Sequence, residues 1–429
     1  MSVLPQVIVD VGFTSPTVAT TAFILDDPVR GKLDGPPTLA DDNIWSDITA
    51  SVRSWSVTRG SHRGDDPTLR YDTGTATIVL HDPDRDFDPD NLAGPYVAGG
   101  VTQIEPMRRV RIRAVWNGVT YPIFFGYADD WQADYQGNSW TYTTLTASDA
   151  LKIFASYDRG TSVSAGAGEN AGARVTRILD GVGWSSADRV IATGNTTLQA
   201  TDLSGNALTE LLLVQDTELG EFYANASGKI VFRNRNATLT DARSNTSQAT
   251  FGDGGYAATG EIPYADTTPS SLDEAIANTV TAQNEGGTAQ TVIDAGSVTQ
   301  YLTKTFQRTD LIAQTDGDAL AWAQALAYQY STPRRRFASV AFNTPRPEVA
   351  AAHWPAVLGR EFGDRVTVKR RPAGGGTTIS RDCFIRGVQH ESDGTYWKTT
   401  WIPQAADRYS FFVLDDATLG RLDNNALSY

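Results

Sequence analysis

The sequence predicts a mainly β protein in which two β-domains of similar size flank a mixed α+β insert. Three observations lead there. The 429 residues include 10% aromatics, 38 Gly and 19 Pro, the balance of turn-rich sheets and not of helical bundles or disorder. Stretches of two-residue alternation recur on both sides of a segment with helical periodicity. The length suits roughly two to four domains and more than one hydrophobic core.

The elements follow in order. Residues 1–44 form an N-terminal arm, and a first β-domain, a β-barrel or a closely related small sandwich, covers 45–154. Within it, 75–80 places Ala76, Ile78 and Leu80 on one face, and 110–116 does the same for Val110, Ile112, Ala114 and Trp116. Asn117-Gly118 then joins that strand to an aromatic strand at 120–127, a strong hairpin signal, and 140–146 supplies another strand. The insert domain covers 155–265. It opens with a Gly/Ala/Ser stretch at 160–172 that reads as a flexible connection, followed by helices at 173–179 and 207–215 and a hairpin at 221–232. A second β-barrel domain covers 266–410, with strands at 279–282, 336–342, 365–369, 383–389 and 396–402. Its helix at 318–330 has Asp318 placed as the cap, Thr315 three residues earlier and Pro333 behind it. Residues 411–429 form a C-terminal docking arm. The two arms echo each other: 25–34 and 414–423 align without a gap and share six identities, from chance, a common turn preference, or docking on similar surfaces.

Charge and composition then exclude function classes. Thirty-six Lys and Arg against 50 Asp and Glu give a net charge of -14, which argues against gripping nucleic acid by its phosphates. Cys383 is the one cysteine, so no intramolecular disulfide and no multi-cysteine metal site is possible. Without a signal-like start or a bilayer-length apolar run, a soluble product folded in the cytoplasm is expected.

Candidate sites are few. Asp82, Asp84, Asp86 and Asp88 have the alternate spacing of a calcium loop, yet Phe87 and Ala93 stand where such loops want Gly and a bidentate Glu. An ordinary Asp/Pro turn is the preferred reading, with a metal site as its rival. Arg108, Arg109, Arg111 and Arg113 line one strand segment, where a solvated face is the default, and Arg334, Arg335 and Arg336 follow a helix C-terminus, where the helix dipole favours cations; inter-subunit ion pairs are expected there before DNA contacts. His62, His81, His353 and His390 show no metal-ligand spacing, and no nucleophile elbow, phosphate loop or dinucleotide fingerprint is present. No catalytic, cofactor-binding or metal residue is therefore assigned, and no enzymatic activity is expected.

Several short segments, taken in order, carry a family resemblance. These are 48–60, Gly74-Thr-Ala-Thr-Ile-Val-Leu80, Asp84-Arg-Asp-Phe-Asp-Pro89, Arg109-Val-Arg-Ile-Arg113, 173–180, Gly183-Trp184, Asp216-Thr-Glu-Leu-Gly220 and 411–420. Together they resemble minor tail proteins of long-tailed phages infecting actinobacteria, over nearly the whole chain. The resemblance implies a trimeric baseplate hub whose chains each carry two tube-like barrels and an intervening domain, with no cofactor. The expected function is a structural tail-tip hub of a virion, with no enzymatic role. Its expected partners are two further copies in a homotrimer, the distal tail protein ring, the tape-measure protein and tail fibre or receptor-binding proteins, with DNA only in transit. The alternatives are a distal tail ring or other minor tail component, or a carbohydrate-binding adsorption protein whose tryptophans stack on sugars.

Overall fold

Alternation becomes sheet. The computed structural model describes residues 3–13, 44–64, 67–136, 140–271, 275–409, 411–412 and 426–427, and among these thirteen strands share one sheet. Its first half contains β1 (Gln6–Phe13), β2 (Ile44–Asp47), β3 (Val52–Gly60), β4 (Asp72–His81), β5 (Arg109–Trp116), β6 (Val119–Gln136) and β7 (Trp140–Ser148). They lie in the order β3-β4-β7-β6-β5-β1-β2, every neighbour antiparallel. Val110, Ile112 and Ala114 are fully buried with Val9, Val11, Ile78 and Leu80, as the period-2 pattern requires. Asn117 and Gly118 both have positive φ, 49° and 79°, the geometry of a type I′ hairpin.

The insert builds on α1 (Ala171–Val182), α2 (Ala207–Glu218), β8 (Glu221–Ala224) and β9 (Ile230–Arg233). Asn170 and Asn206 cap the two helices by accepting N–H groups of the first turn, which starts both helices cleanly. Val175, Ile178, Leu211, Phe222 and Phe232 close its core on Phe154. The Gly/Ala/Ser stretch before α1 is not a flexible connection. Val163–Ala165 pairs with Thr201–Leu203, and Glu169–Asn170 pairs with Thr197–Leu198. At its end Gly172 permits a close approach, since a Cβ there would lie 2.0 Å from the Ala192 carbonyl oxygen.

The second half of the sheet uses β10 (Thr250–Gly252) and β11 (Asp266–Ser270). The chain then leaves the sheet for β12 (Thr279–Asn284), β13 (Gln290–Ile293), β14 (Thr305–Leu311) and α3 (Asp316–Tyr330). It returns with β15 (Arg336–Phe342), α4 (Pro347–Leu358), β16 (Arg365–Arg370), β17 (Ile379–Ser392) and β18 (Trp397–Ala405). The order β11-β15-β18-β17 continues directly into β3, while β16 pairs the other end of β17 and β10 pairs β16.

Three readings of the sequence are corrected here. β1 falls in the range taken as an N-terminal arm, yet it pairs along its length with β5 and buries Val9, Val11 and Phe13. The range taken as one second barrel contains an inserted unit: β13-β12-β14 form their own sheet under α3, with a separate core of Val280, Ala282, Trp322 and Leu326. The cap of α3 is Thr315, which accepts from Asp318 N–H while the Asp318 carboxylate accepts from Thr315 N–H. Helix α4 was not anticipated, although its buried residues Val349, Ala350, His353, Trp354, Val357 and Leu358 recur at helical spacing. It is buried between the halves, with Trp354 in the first core and Val357 in the second. Segments 25–34 and 414–423 lie outside the described residues.

Candidate functional site at the seam between the two halves

Strand β17 is long enough to serve two partners. Its first part pairs β16 from Arg370↔Ile379 to Arg365↔Phe384, and its second pairs β3 from Gly60↔Gly387 to Trp55↔Ser392. The exchange happens at a register shift between Ile385 and Gly387. The strands approach there so closely that a Cβ on Gly60, whose φ is +95°, would sit 2.4 Å from the Arg386 carbonyl oxygen.

Arg386 lies at this crossing with no exposed surface, inside the buried run Cys383-Phe-Ile-Arg-Gly-Val388. Its guanidinium donates to Glu221 Oε1 at 2.5 Å, to Gln404 Oε1 at 2.8 Å and to the Tyr71 hydroxyl at 3.2 Å. Glu221, the first residue of β8, also accepts from Arg233 Nη1 at 2.9 Å and from Tyr71 at 3.2 Å. Arg233 reaches on to Asp241 and Ser244. Burial by itself would raise the Glu221 carboxyl, but the Arg233 and Arg386 guanidinium groups outweigh it and hold the group down at about 2. Burial raises the Tyr71 and Tyr223 hydroxyls, so both stay neutral donors. Tyr71 belongs to the first half, Glu221 and Arg233 to the insert, and Arg386 and Gln404 to the second half.

A second set of contacts runs beside the first. Arg59 on β3 pairs with Glu361 at 3.2 Å, and Glu361 also accepts from Ala226 N–H at 2.9 Å. The Asp216-Thr-Glu-Leu-Gly220 segment acquires a physical meaning here. Asp216 receives Arg70 at 2.5 Å and Arg308 at 2.8 Å. Glu218 accepts the N–H groups of Asn195, Thr196 and Arg235, and Leu219 turns the chain at φ 53°. The arrangement is ionic and buried, and it ties three modules to one another.

The residues singled out in the sequence lie elsewhere. Asp82 accepts from Asp86 N–H at 2.6 Å, Phe87 N–H at 3.2 Å and Thr143 Oγ1 at 2.8 Å. Asp88 is taken by Arg85, Tyr135 and Asp90 N–H, and Phe87 is buried in the first core. Of the strand arginines, Arg111 and Arg113 both donate to Asp10 on β1, at 2.9 and 2.6 Å, and Arg111 also stacks 4.1 Å over Trp45. Arg108 pairs with Glu105, and Arg334 approaches Asp407 at 3.9 Å. Arg108, Arg111, Arg113 and Arg334 thus have carboxylate partners within the chain, two of them through Asp10 on β1, which the sequence pattern did not place beside them. His390 is enclosed, with Thr399 Oγ1 at 2.9 Å, and burial lowers it to about 3. Among the described residues no group of three or more His, Cys, Asp or Glu side chains is arranged to hold a metal ion, and no helix is long and apolar enough to cross a membrane.

Tyr71, Glu221, Arg233, Arg386 and Gln404 were missed as a set. The available signal was one arginine inside the apolar run 383–388, which demands a buried carboxylate; the carboxylate that answers it lies 165 residues away in sequence.

Solved structures share this fold. A 43 kDa tail protein of prophage MuSo2 from Shewanella oneidensis superposes at a TM-score of 0.54, with 11% identity, over 94% of this chain and 98% of that one. The chain has the fold of that tail protein. A tail protein from Neisseria meningitidis MC58 gives a TM-score of 0.54 with 9% identity, over 83% of this chain and 94% of that one. No family model and no curated protein matches the sequence.

Proposed function

We propose that the chain is a structural component of a phage tail, acting as the hub at the tail tip. The observation that carries this is fold similarity end to end: nearly all of this chain and nearly all of the MuSo2 tail protein superpose. The seam supports it, because a protein bearing load between a tube and its tip needs modules that do not slide, and buried ion pairs fix orientation. In this reading the two sheet halves, each wrapped on its own core, are the tube-like barrels. A homotrimer then presents six of them as a pseudo-sixfold ring. The hub contacts the distal tail protein ring above and tail fibre or receptor-binding proteins below, and the tape-measure protein and DNA pass through it. The segments 25–34 and 414–423 act as docking arms.

A reconstruction of the virion tests this. Three copies of the chain beneath the distal ring are expected. Six copies would favour a distal tail ring, and density only on peripheral appendages would favour an adsorption protein. Deleting residues 411–429 is expected to impair particle assembly more than folding, read by particle yield against the melting curve of the purified chain.

A further inference from the structure

The small sheet β13-β12-β14 has one bare side. Among the described residues β13 pairs with β12 alone. Val292 stands opposite Val280 and Gln290 opposite Ala282, and the Asp294 N–H donates to the Asn278 carbonyl at 2.9 Å. Backbone groups alternate in direction along a strand, so those of Gln290, Val292 and Asp294 turn toward β12, and those of Thr291 and Ile293 point away from the sheet. Edges of this kind are usually blunted by proline, charge or irregular register. β11 carries Pro269 and a register shift, and β14 carries Arg308, Asp310 and a register shift. Gln290-Thr-Val-Ile293 has none of these.

The side chains around this edge are also left open. Leu302 is 76% exposed, more than any other large hydrophobic among the described residues, and Ile293 is 61% exposed. Both lie beside Asn278, whose Nδ2 donates to the Leu302 carbonyl at 2.8 Å while its own carbonyl receives the Asp294 N–H. Leu302 holds φ 64° and ψ 172°, a combination that only glycine adopts readily. An aliphatic side chain kept in water on a strained backbone gains little from packing within the chain, and such strain is retained where a contact uses it.

The outward N–H and C=O groups of Thr291 and Ile293 call for a polypeptide in extended form, bound through its main chain. Residues 288–293 are uncharged, so the added strand must be uncharged too, since an ion placed there would lose water without gaining a partner. Of the chain outside the described residues, 413–425 carries Asp415, Asp416, Arg421 and Asp423 and fails that condition. Residues 14–25, Thr-Ser-Pro-Thr-Val-Ala-Thr-Thr-Ala-Phe-Ile-Leu, meet it, and from Thr17 onward they are rich in β-branched and aromatic side chains. Segment 14–43 is anchored at both ends by the Phe13↔Ile44 pair of β1 and β2, and a doubled chain of that length reaches about 50 Å. We propose that β13 is a docking edge for a second copy of this chain, which adds its residues 17–25 as a further strand, with Ile293 and Leu302 covering the apolar side chains. The proposal rests on the reading of the chain as a self-assembling hub.

Hydrogen exchange of the full chain, followed by mass spectrometry beside sedimentation, tests this. The amides of 288–294 are expected to be protected in the associated chain and to exchange freely after dilution. Thr291→Pro removes an outward N–H and leaves the bonds to β12 in place, and Phe23→Asp puts a charge in the docking strand. Each is expected to weaken self-association roughly tenfold or more, the scale of a lost hydrogen bond and its apolar cover. Should Thr291→Pro fail to fold, Ile293→Lys, on an exposed side chain, takes its place. A synthetic peptide of residues 14–25 added to Phe23→Asp is expected to restore the protection, and to do nothing once Thr291→Pro is also present. The proposal is overturned if 288–294 exchanges freely in the associated chain, if its protection is independent of concentration, or if the peptide restores nothing. Association with 288–294 unprotected would leave the hub reading standing without this edge. A chain that stays monomeric while the peptide protects 288–294 would keep the docking edge and remove the hub reading.

Discussion

Replacing Glu221 by Gln keeps the size of the side chain and removes the one carboxylate that faces both Arg233 and Arg386. Glu221 is 6% exposed and Arg386 has no exposed surface, so water cannot take over the lost charge. The folded environment moves the carboxyl from 4.5 to about 2, which corresponds to roughly 3 kcal/mol of preference for the charged form. Removing one partner of a buried pair typically costs about 3–5 kcal/mol, because the other charge remains buried and uncompensated. The expected result is therefore a loss of about 3–5 kcal/mol in the unfolding transition that reports the seam, followed by denaturant titration with tryptophan fluorescence. The pH dependence provides an independent check. A carboxyl depressed in the folded state contributes stability that is complete above pH 4.5 and is lost as pH falls toward 2. The gap between parent and Glu221→Gln should thus be full at pH 7 and shrink below pH 4.5. A loss under about 1 kcal/mol at pH 7, or a gap independent of pH, would refute the reasoning.

The other predictions concern single groups. Asp149 is pushed up to about 7 by burial, against the opposing pull of the Leu151 and Gly74 N–H groups and Arg59. Its contribution is therefore complete below pH 3.8 and declines as pH rises to 7, by roughly 4 kcal/mol at most; Asp149→Asn should flatten that part of the stability profile measured by melting at stepped pH. Asp82→Ala removes three acceptor contacts under the turn and is expected to cost about 2–4 kcal/mol in denaturant titration. Added calcium should not move the melting temperature of the parent, since Asp82 and Asp88 are already engaged by N–H and O–H donors; a calcium-dependent rise lost in Asp84→Ala would restore the metal reading. Gly60→Ala forces a side chain against the Arg386 carbonyl at positive φ, and a loss of about 3 kcal/mol or more is expected in the same titration, where a neutral result would show that β3 and β17 can separate.

The strands 75–80, 110–116 and 336–342 were legible because one face of each meets a core and the other does not, so period 2 is written into the residues. The Asn117-Gly118 turn was legible because only a few residues accept two successive positive φ angles. Helices α1 and α2 could be located because their apolar faces repeat at helical spacing. Helix α4 could not, since its exposed side carries Pro347 and Ala351 beside Glu348 and so contrasts little with the buried face. The role of β1 was hidden for a different reason. Its partner β5 lies about a hundred residues downstream, and the alternation of one short strand does not name its neighbour.

The seam marks the limit most clearly. Sequence alone determined that the chain is a multi-core β protein with a mixed insert, acidic overall and without a recognisable catalytic motif, because composition, periodicity and turn chemistry are local properties. It also placed an arginine in the apolar run 383–388. Only the tertiary structure decided that Glu221 answers that arginine and that Arg111 and Arg113 share Asp10. Each of these depends on distances between segments far apart in sequence, and a charge shows its meaning only once folding has removed the water around it.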